Sequence, residues 1–517
     1  MKILIPMSGI GKRFKESGYS KPKYLLDVFG KPVLQYIFEL FSDDDEFHLI
    51  LNKNDFNNKE IIKTIKNLDL NKNISFHSIE NHKKGPGFAL LSSGLLETNQ
   101  EVFINYCDFA NVWDWVRVKE YIKQNKPDGL LPAYKGLHIH SIYGNNYAFI
   151  ETKNDAVTGI KEKEPFTSNP IEEYASTGGY YFASGEIAKK YISELFVKKI
   201  LINGEAYISS AYDLMIKDCL NVKVYNIDYF FQWGTPEDYE EFLYCMKEVE
   251  NLKTKKYINL SNFNLVIPAA GIGSRFSEKG YSTPKIFLKV NDDKMIKTII
   301  NKFKNQSTTY VLGNNYVISE LNEIFSNNSN VILSSVDYVT RGQSDSANLL
   351  IEEIDNDLPI FIQSADCILG EIDLDNVMSL DPDLVVLTKQ NYRRAIINPE
   401  NYGWILSEND FVNKSIIKKR PDNKNYSMIL GSFIFKNKEL YQKIYIELLK
   451  ERRSELHIDY MIDIALRMDL KVVELASNTA SVIGTPLEFE LHKYSEFLFN
   501  LATFSGLLAT TDIVRNE

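Results

Sequence analysis

Residues 5–28 read IPMSGIGKRFKESGYSKPKYLLDV, and residues 267–290 read IPAAGIGSRFSEKGYSTPKIFLKV, identical at 15 of 24 positions. Agreement of that length marks an internal duplication, and a duplication restricts the fold more than any other feature of the chain. Further correspondences follow. Lys84-Gly85 pairs with Arg341-Gly342, VFINYCD with IFIQSAD, TGGYYF with LGSFIF, and WGTPEDY with IGTPLEF. The offset between the copies falls from 262 to 250 along the chain, as loop deletions in the second copy would produce. The 517 residues therefore divide into two domains, 1–255 and 260–517. The polar stretch MKEVENLKTKKYINLSN at 246–262 joins them, and LEFELHKYSEFLFN near the end reads as a closing helix.

Within the first copy, short β-rich runs (KILIP, HLILN, ISFHSI, EVFINY, GLLPAY, GYYFA, KVYNI) alternate with segments of helical spacing such as KEIIKTIKNL. Such alternation predicts an α/β fold with crossover helices and ligands at the carboxyl ends of the strands. The net charge of −10 argues against bulk nucleic-acid binding, which needs a basic footprint. No run approaches the roughly 20 apolar residues of a membrane span. MKILIPMSGIGKRF leads into a glycine loop and not a cleavage site, so the chain is read as cytoplasmic. Cys107, Cys219, Cys245 and Cys367 lack the spacing of a zinc site or a disulfide framework.

GIGKRF and GIGSRF each follow a predicted first strand directly. Glycines there let backbone N–H groups approach a phosphate. The third glycine of a dinucleotide fingerprint is replaced by Phe14 or Phe276, and the Walker pattern is absent. The informative unit is the longer string G-x-G-x-R-F-x₇-P-K, found twice.

That string resembles the sugar-1-phosphate nucleotidyltransferases, in particular the bacterial subgroup associated with surface-polysaccharide precursors. The resemblance touches both halves. It implies two tandem GT-A-like, Rossmann-type domains with mixed, mainly parallel sheets. It also implies the reaction NTP + sugar phosphate → NDP-sugar + pyrophosphate, with Mg²⁺. The partners implied are a nucleoside triphosphate and a phosphorylated small-molecule acceptor. A phosphate monoester, largely ionised near neutrality, attacks the α-phosphate, so no Ser or His nucleophile is needed. What is needed is positioning and neutralisation of crowded negative charge.

Carried over residue by residue, the resemblance makes Arg13 and Lys23, and Arg275 and Lys285, the triphosphate-binding pairs. Asp108 and Asp366, each ending an apolar strand, match the magnesium-binding Asp. Gly9, Gly11 and Gly85, with Gly271, Gly273, Gly342 and Gln343, match the nucleotide-binding positions. Glu162 and Lys163 match the pair that holds the acceptor, and Gly178 matches a glycine beside the sugar. With Pro165 and Pro421 aligned, Lys419 takes the place of Lys163, and Lys418 replaces the Glu.

Two departures stand out. Where many relatives carry a second metal-binding Asp, the chain has Gln232 and Val482, with Asp228 close upstream. In the base-binding segment, RGQSDSA of the second copy is near the family pattern, whereas KGPGFA of the first carries Pro86. The first copy thus reads as better on the sugar side and the second on the nucleotide side. Other readings stay open: a CTP-dependent cytidylyltransferase acting on a phosphorylated amine or polyol, or one half acting as a non-catalytic nucleotide-binding scaffold. A glycosyltransferase is disfavoured, since CDF and ADC supply no D-x-D motif. The duplication raises a pseudo-dimer or homo-oligomer as an expectation. Trp113, Trp115, Trp233, His138, His140, Cys107 and Cys367 are read as packing residues.

Overall fold

The computed structural model describes residues 1–503 except 69–70, 145–146, 255, 393, 396–397 and 423–424. Lys255 and residues 504–517, which close the two expected domains, lie outside the described residues. Two compact units result: Met1–Tyr244 with the described residues from Phe497, and Cys245–Glu496.

The first unit is built on a ten-stranded mixed sheet. Lys2–Met7, with five consecutive buried residues, lies inside it. It runs parallel to Glu46–Asn52 on one side and Val102–Asn105 on the other, as buried apolar runs do when helices cover both faces. Asn73–Ile79 continues the parallel side. Beyond Val102–Asn105 the sheet turns antiparallel through Gly179–Phe182 to Gly129–Tyr134, which pairs in parallel with Val222–Asn226. It is completed by the hairpin Ala148–Lys153/Ala156–Glu162 and the short strand Tyr174–Ser176.

The second unit repeats this order in nine strands, from Val331–Val336 through Asn264–Pro268, Ile360–Ile362 and Ser427–Phe435 to the hairpin Gly403–Glu408/Phe411–Ile417. Its nine strands are matched by a single break in the first unit, where Ser427–Phe435 corresponds to two strands separated at Thr177-Gly178. The two hairpins share their turn chemistry. Asn154-Asp155 and Asn409-Asp410 both adopt left-handed conformations, the tight-turn geometry that twisted strands favour.

Local signals explain the element ends. Asp114, Ser184 and Asn437 each accept backbone N–H groups at the start of the helices Trp115–Asn125, Gly185–Val197 and Lys438–Lys450. Trp113, Trp115 and Trp233 are buried core residues. The Trp115 indole N–H donates to Asp45 Oδ2 at 2.7 Å, and that of Trp113 to the Leu40 carbonyl. His138 and His140 pack among Tyr134, Tyr147 and Phe230. Burial lowers both imidazoles, His138 to about 4. Cys107 and Cys367 are buried, and burial raises the Cys107 thiol to about 11. Among the described residues no helix is long and apolar enough to cross a membrane.

Candidate active site

The first strand of each unit leads into its glycine loop. Gly11 and Gly273 sit at φ +62 and +65 and start the short helices Lys12–Glu16 and Ser274–Glu278. That left-handed geometry suits glycine and lets the chain reverse while Arg13 and Arg275 leave the next turn. Pro22 and Pro284 then precede single 3₁₀ turns, Lys23–Leu25 and Lys285–Phe287. These turns bring the lysines back to the strand-end carboxylates. Lys23 Nζ lies 2.6 Å from Asp108 Oδ2, and Lys285 Nζ 3.0 Å from Asp366 Oδ2. Burial alone would lower the Lys23 ammonium, but the Asp108 carboxylate outweighs it and holds the group above its usual range. Likewise burial would raise Asp366, but Lys285 and a hydrogen bond from Ser364 hold it below.

Two cavities open around this pair in the first unit. The larger, about 550 Å³, is lined by Gly9, Gly11, Arg13, Lys23, Gly85 and Asp108. The smaller, about 170 Å³, is lined by Glu162, Lys163, Gly178 and Asp238. Arg13, Tyr106, Asp108, Tyr207 and Gly234 line both, so the chambers share a wall. The first-copy residues that the resemblance assigns to binding or catalysis therefore all line one of two adjoining chambers. Of the additional lining groups, Ser8 and His82 share a 3.0 Å hydrogen bond in the larger chamber. The second copy has Ala270 and Val339 at the matching sequence positions.

Close approach fixes the far side of the larger chamber. A Cβ on Gly85 would stand 2.9 Å from the Ala206 nitrogen, and one on Gly342 would stand 2.5 Å from the Leu456 carbonyl oxygen. Gln343, in the segment matched to base binding, donates 2.7 Å to the Gly431 carbonyl. Tyr106 corresponds in sequence to Ser364 and Pro86 to Gln343, so the first copy has a phenol and a proline where the second has a small hydroxyl and an amide.

The smaller chamber corrects one sequence assignment. Lys163 ends its hairpin strand at φ +61, and its N–H donates 2.8 Å to the Tyr147 carbonyl. In the second unit the residue at φ +53, with its N–H on the Tyr402 carbonyl at 3.2 Å, is Lys418 and not Lys419. Lys419 is exposed beyond the strand end. Ile417 accordingly takes the place of Glu162, because the strand pairings Ala148–Glu162 and Gly403–Ile417 coincide. A non-glycine residue at positive φ is uncommon, and strain of this kind collects at functional sites. Each lysine is also held by its side chain. Lys163 Nζ donates 3.1 Å to the Tyr207 hydroxyl, which donates 2.7 Å to Glu205. Lys418 Nζ lies 3.0 Å from Glu455, which also meets His457 at 2.8 Å.

An acid missed in the sequence lies four residues after the late glycine in both copies. Asp238 lines the smaller chamber, and burial, reinforced by Asp108, raises its carboxyl to about 6. Glu488 accepts hydrogen bonds from the Gly484 N–H and from the hydroxyls of Thr485 and Tyr402, and burial raises it too. The sequence signal was present in GTPED and GTPLE, but an acid in a first helical turn also satisfies the helix dipole. Asp228 lies elsewhere, accepting from Asn226.

No protein-family model matches the chain. A D-glycero-alpha-D-manno-heptose 1-phosphate guanylyltransferase from Aneurinibacillus thermoaerophilus is 26% identical over 255 residues, which span 48% of this chain and 99% of that protein. Over about half its length the chain is thus similar to a sugar-phosphate nucleotidyltransferase. Similar solved structures include a nucleoside-diphosphate-sugar pyrophosphorylase from Vibrio cholerae RC9, 21% identical, covering 47% of this chain and 99% of its own with a TM-score of 0.38. The inositol-1-phosphate CTP transferase from T. maritima is 17% identical, covering 46% and 96%, with a TM-score of 0.36.

The raised Asp238 gives a stability prediction. Its folded value near 6 exceeds the unfolded value near 4, so folding favours the protonated acid. Ionisation therefore weakens the fold progressively from about pH 4 to 6 and by a constant amount above, about 3 kcal/mol. Asp238→Asn is expected to raise the unfolding temperature of the first unit at pH 8. The gain should vanish below about pH 4, as calorimetric melts across that range would record.

Proposed function

We propose that each half transfers a nucleotidyl group from a nucleoside triphosphate to a sugar 1-phosphate, releasing pyrophosphate. The observation that carries this reading is the wall shared by the two chambers. A reaction between two phosphorylated substrates belongs where Arg13 and Asp108 face both. The triphosphate would lie along the glycine loop, with Arg13 and Lys23 against its oxygens. The acceptor would occupy the smaller chamber, its phosphate on Lys163 and its hydroxyls toward Glu162. An acceptor phosphate oxygen then forms a bond to the α-phosphorus. The bond from that phosphorus to the bridging oxygen breaks, and pyrophosphate leaves with the electron pair. No side chain is alkylated or phosphorylated. The protein aligns the two substrates in line and offsets charge, which is the main demand of phosphoryl chemistry.

A divalent cation suits this arrangement. Among the described residues no three His, Cys, Asp or Glu side chains gather into a metal cage. Mg²⁺ commonly binds through one or two carboxylates together with substrate phosphates, and Asp108 on the shared wall is such a carboxylate. Asp366 is its counterpart in the second half. The ion would supply charge neutralisation at the α-phosphate. Lys23 and Lys285 hold these carboxylates in place beforehand.

The guanylyltransferase relative supports a guanine nucleotide and a heptose or hexose 1-phosphate as the first substrates to test. The decisive experiment measures pyrophosphate release by the full chain with GTP, UTP, dTTP, CTP and ATP against a set of sugar 1-phosphates. Calorimetric titration of each nucleotide with Mg²⁺ accompanies it. Turnover with at least one pairing and two nucleotide sites per chain is expected. Absence of both binding and release would refute the reading.

A further inference from the structure

Around the smaller chamber of the first unit and the matching residues of the second, three linked exchanges separate the copies. In the first unit Glu162 ends the strand, Ala148 faces it across the hairpin, and Ser209 donates 2.6 Å to the Glu162 carboxylate. In the second unit these places hold Ile417, Gly403 and Asp459. The correspondence of Ser209 with Asp459 follows from EAYIS at 205–209 and ELHID at 455–459, each starting with the acid beside its lysine chain. The exchanges depend on one another sterically. A Cβ on Gly403 would overlap the Asp459 carboxylate, with the Cγ only 3.1 Å away, so the loss of the alanine methyl makes room for the acid. An aliphatic residue, Ile417, has meanwhile taken the strand position that carried the charge.

Asp459 begins the helix Tyr460–Arg467, yet its backbone is already helical and its side chain does not cap that helix. An aspartate at a helix start usually spends its carboxylate on the first N–H groups. Here the carboxylate is turned instead toward the hairpin that carries Lys418.

We infer that Asp459 is the acceptor-recognising carboxylate of the second half, moved from the strand to the facing helix, so that the two halves select different sugar phosphates. This rests on the nucleotidyltransferase reading above. A carboxylate takes hydrogen bonds from neighbouring hydroxyls of a polyhydroxy acceptor, and its position decides which hydroxyls it meets. With the phosphate anchored on the same lysine in both halves, approach from the helix engages a different edge of the sugar than approach from the strand.

The test uses the full chain carrying Arg13→Ala, so that turnover reports the second half. Glucose 1-phosphate, mannose 1-phosphate and D-glycero-α-D-manno-heptose 1-phosphate serve as probes with the preferred nucleotide. Asp459→Asn should raise the KM of the best acceptor tenfold or more and leave nucleotide affinity within twofold. The exchange Gly403→Ala/Ile417→Glu/Asp459→Ser should reorder acceptors toward the preference of the first half, measured in an Arg275→Ala chain. An acceptor KM within twofold in Asp459→Asn overturns the inference. So does a second half that binds nucleotide but none of the three acceptors. If neither half binds nucleotide, the wider reading falls as well, and the titration separates that outcome from the others.

Discussion

Arg13→Ala is expected to cut turnover at the first site by about 10²–10³-fold, as loss of one aligned charge donor does elsewhere. Turnover at the second site should stay within twofold. Arg13 lines both chambers of the first unit, so its guanidinium is available where negative charge builds as the two phosphates meet. Lysine is a poor substitute, because it lacks the planar fork that grips two phosphate oxygens. Arg13→Lys should therefore recover only part of the loss. Arg13 also opposes the upward shift of Asp238, so its removal should move any pH dependence set by that acid to higher pH. Arg275→Ala should silence the second site in the same way, and the double variant should release no pyrophosphate. Pyrophosphate assays on the two single variants and the double, each with nucleotide binding measured alongside, check all of this. Full turnover in the double variant would remove the arginines from the mechanism.

The duplication made most of the architecture legible before any coordinates. Two copies of one glycine loop, each followed by P-K and by a strand-end Asp, specify a loop, a returning lysine and a carboxylate. Lys23–Asp108 and Lys285–Asp366 are those contacts. The acceptor side was harder to read because its alignment rests on loop length. Matching Pro165 to Pro421 selects Lys419, but the second loop carries one more residue between strand end and proline. In the run Lys418-Lys419-Arg420 composition alone cannot place that insertion. The better anchor was NDAV at 154–157 and NDFV at 409–412, where the turn dipeptide fixes hairpin register. Counting from it makes Lys418 the partner of Lys163. Asp459 was obscured for a different reason. Its counterpart is a serine, and the acid it replaces lies 47 residues away in the first copy, joined to that serine by a hydrogen bond.

Glu248→Ala is expected to destabilise the second unit by about 3–5 kcal/mol, because it would leave buried positive charge behind. Lys389 is fully buried, and its Nζ lies 2.6 Å from Glu248 Oε1. Arg394 Nη2 stands 3.6 Å from the other oxygen of the same carboxylate. His492 adds no further positive charge, since burial lowers its imidazole to about 4 and keeps it neutral near pH 7. Removing this carboxylate takes away a negative charge that Lys389 and Arg394 share in a low-dielectric interior. For a unit of this size the loss corresponds to a fall of about 10 °C in its unfolding temperature. Glu248→Gln should lie between, since it keeps hydrogen bonding without charge. Glu248→Leu/Lys389→Met should recover part of the loss and not all of it, because Arg394 stays. The first unit has Tyr134 at the strand position of Lys389, with its hydroxyl 2.8 Å from His140 Nε2 and its ring 4.6 Å from Phe230. One copy thus stabilises this strand end mainly by aromatic packing and the other by a charge network. The network reaches the site of the second half through Tyr392, whose hydroxyl contacts Glu488. Glu248→Ala should therefore lower second-site turnover as well as stability, while the first site keeps its rate below the melting range. Scanning calorimetry that resolves the two units, paired with turnover in the Arg13→Ala chain, measures both effects. A change below about 1 kcal/mol would mean that water reaches the pair and the charges are not buried in solution.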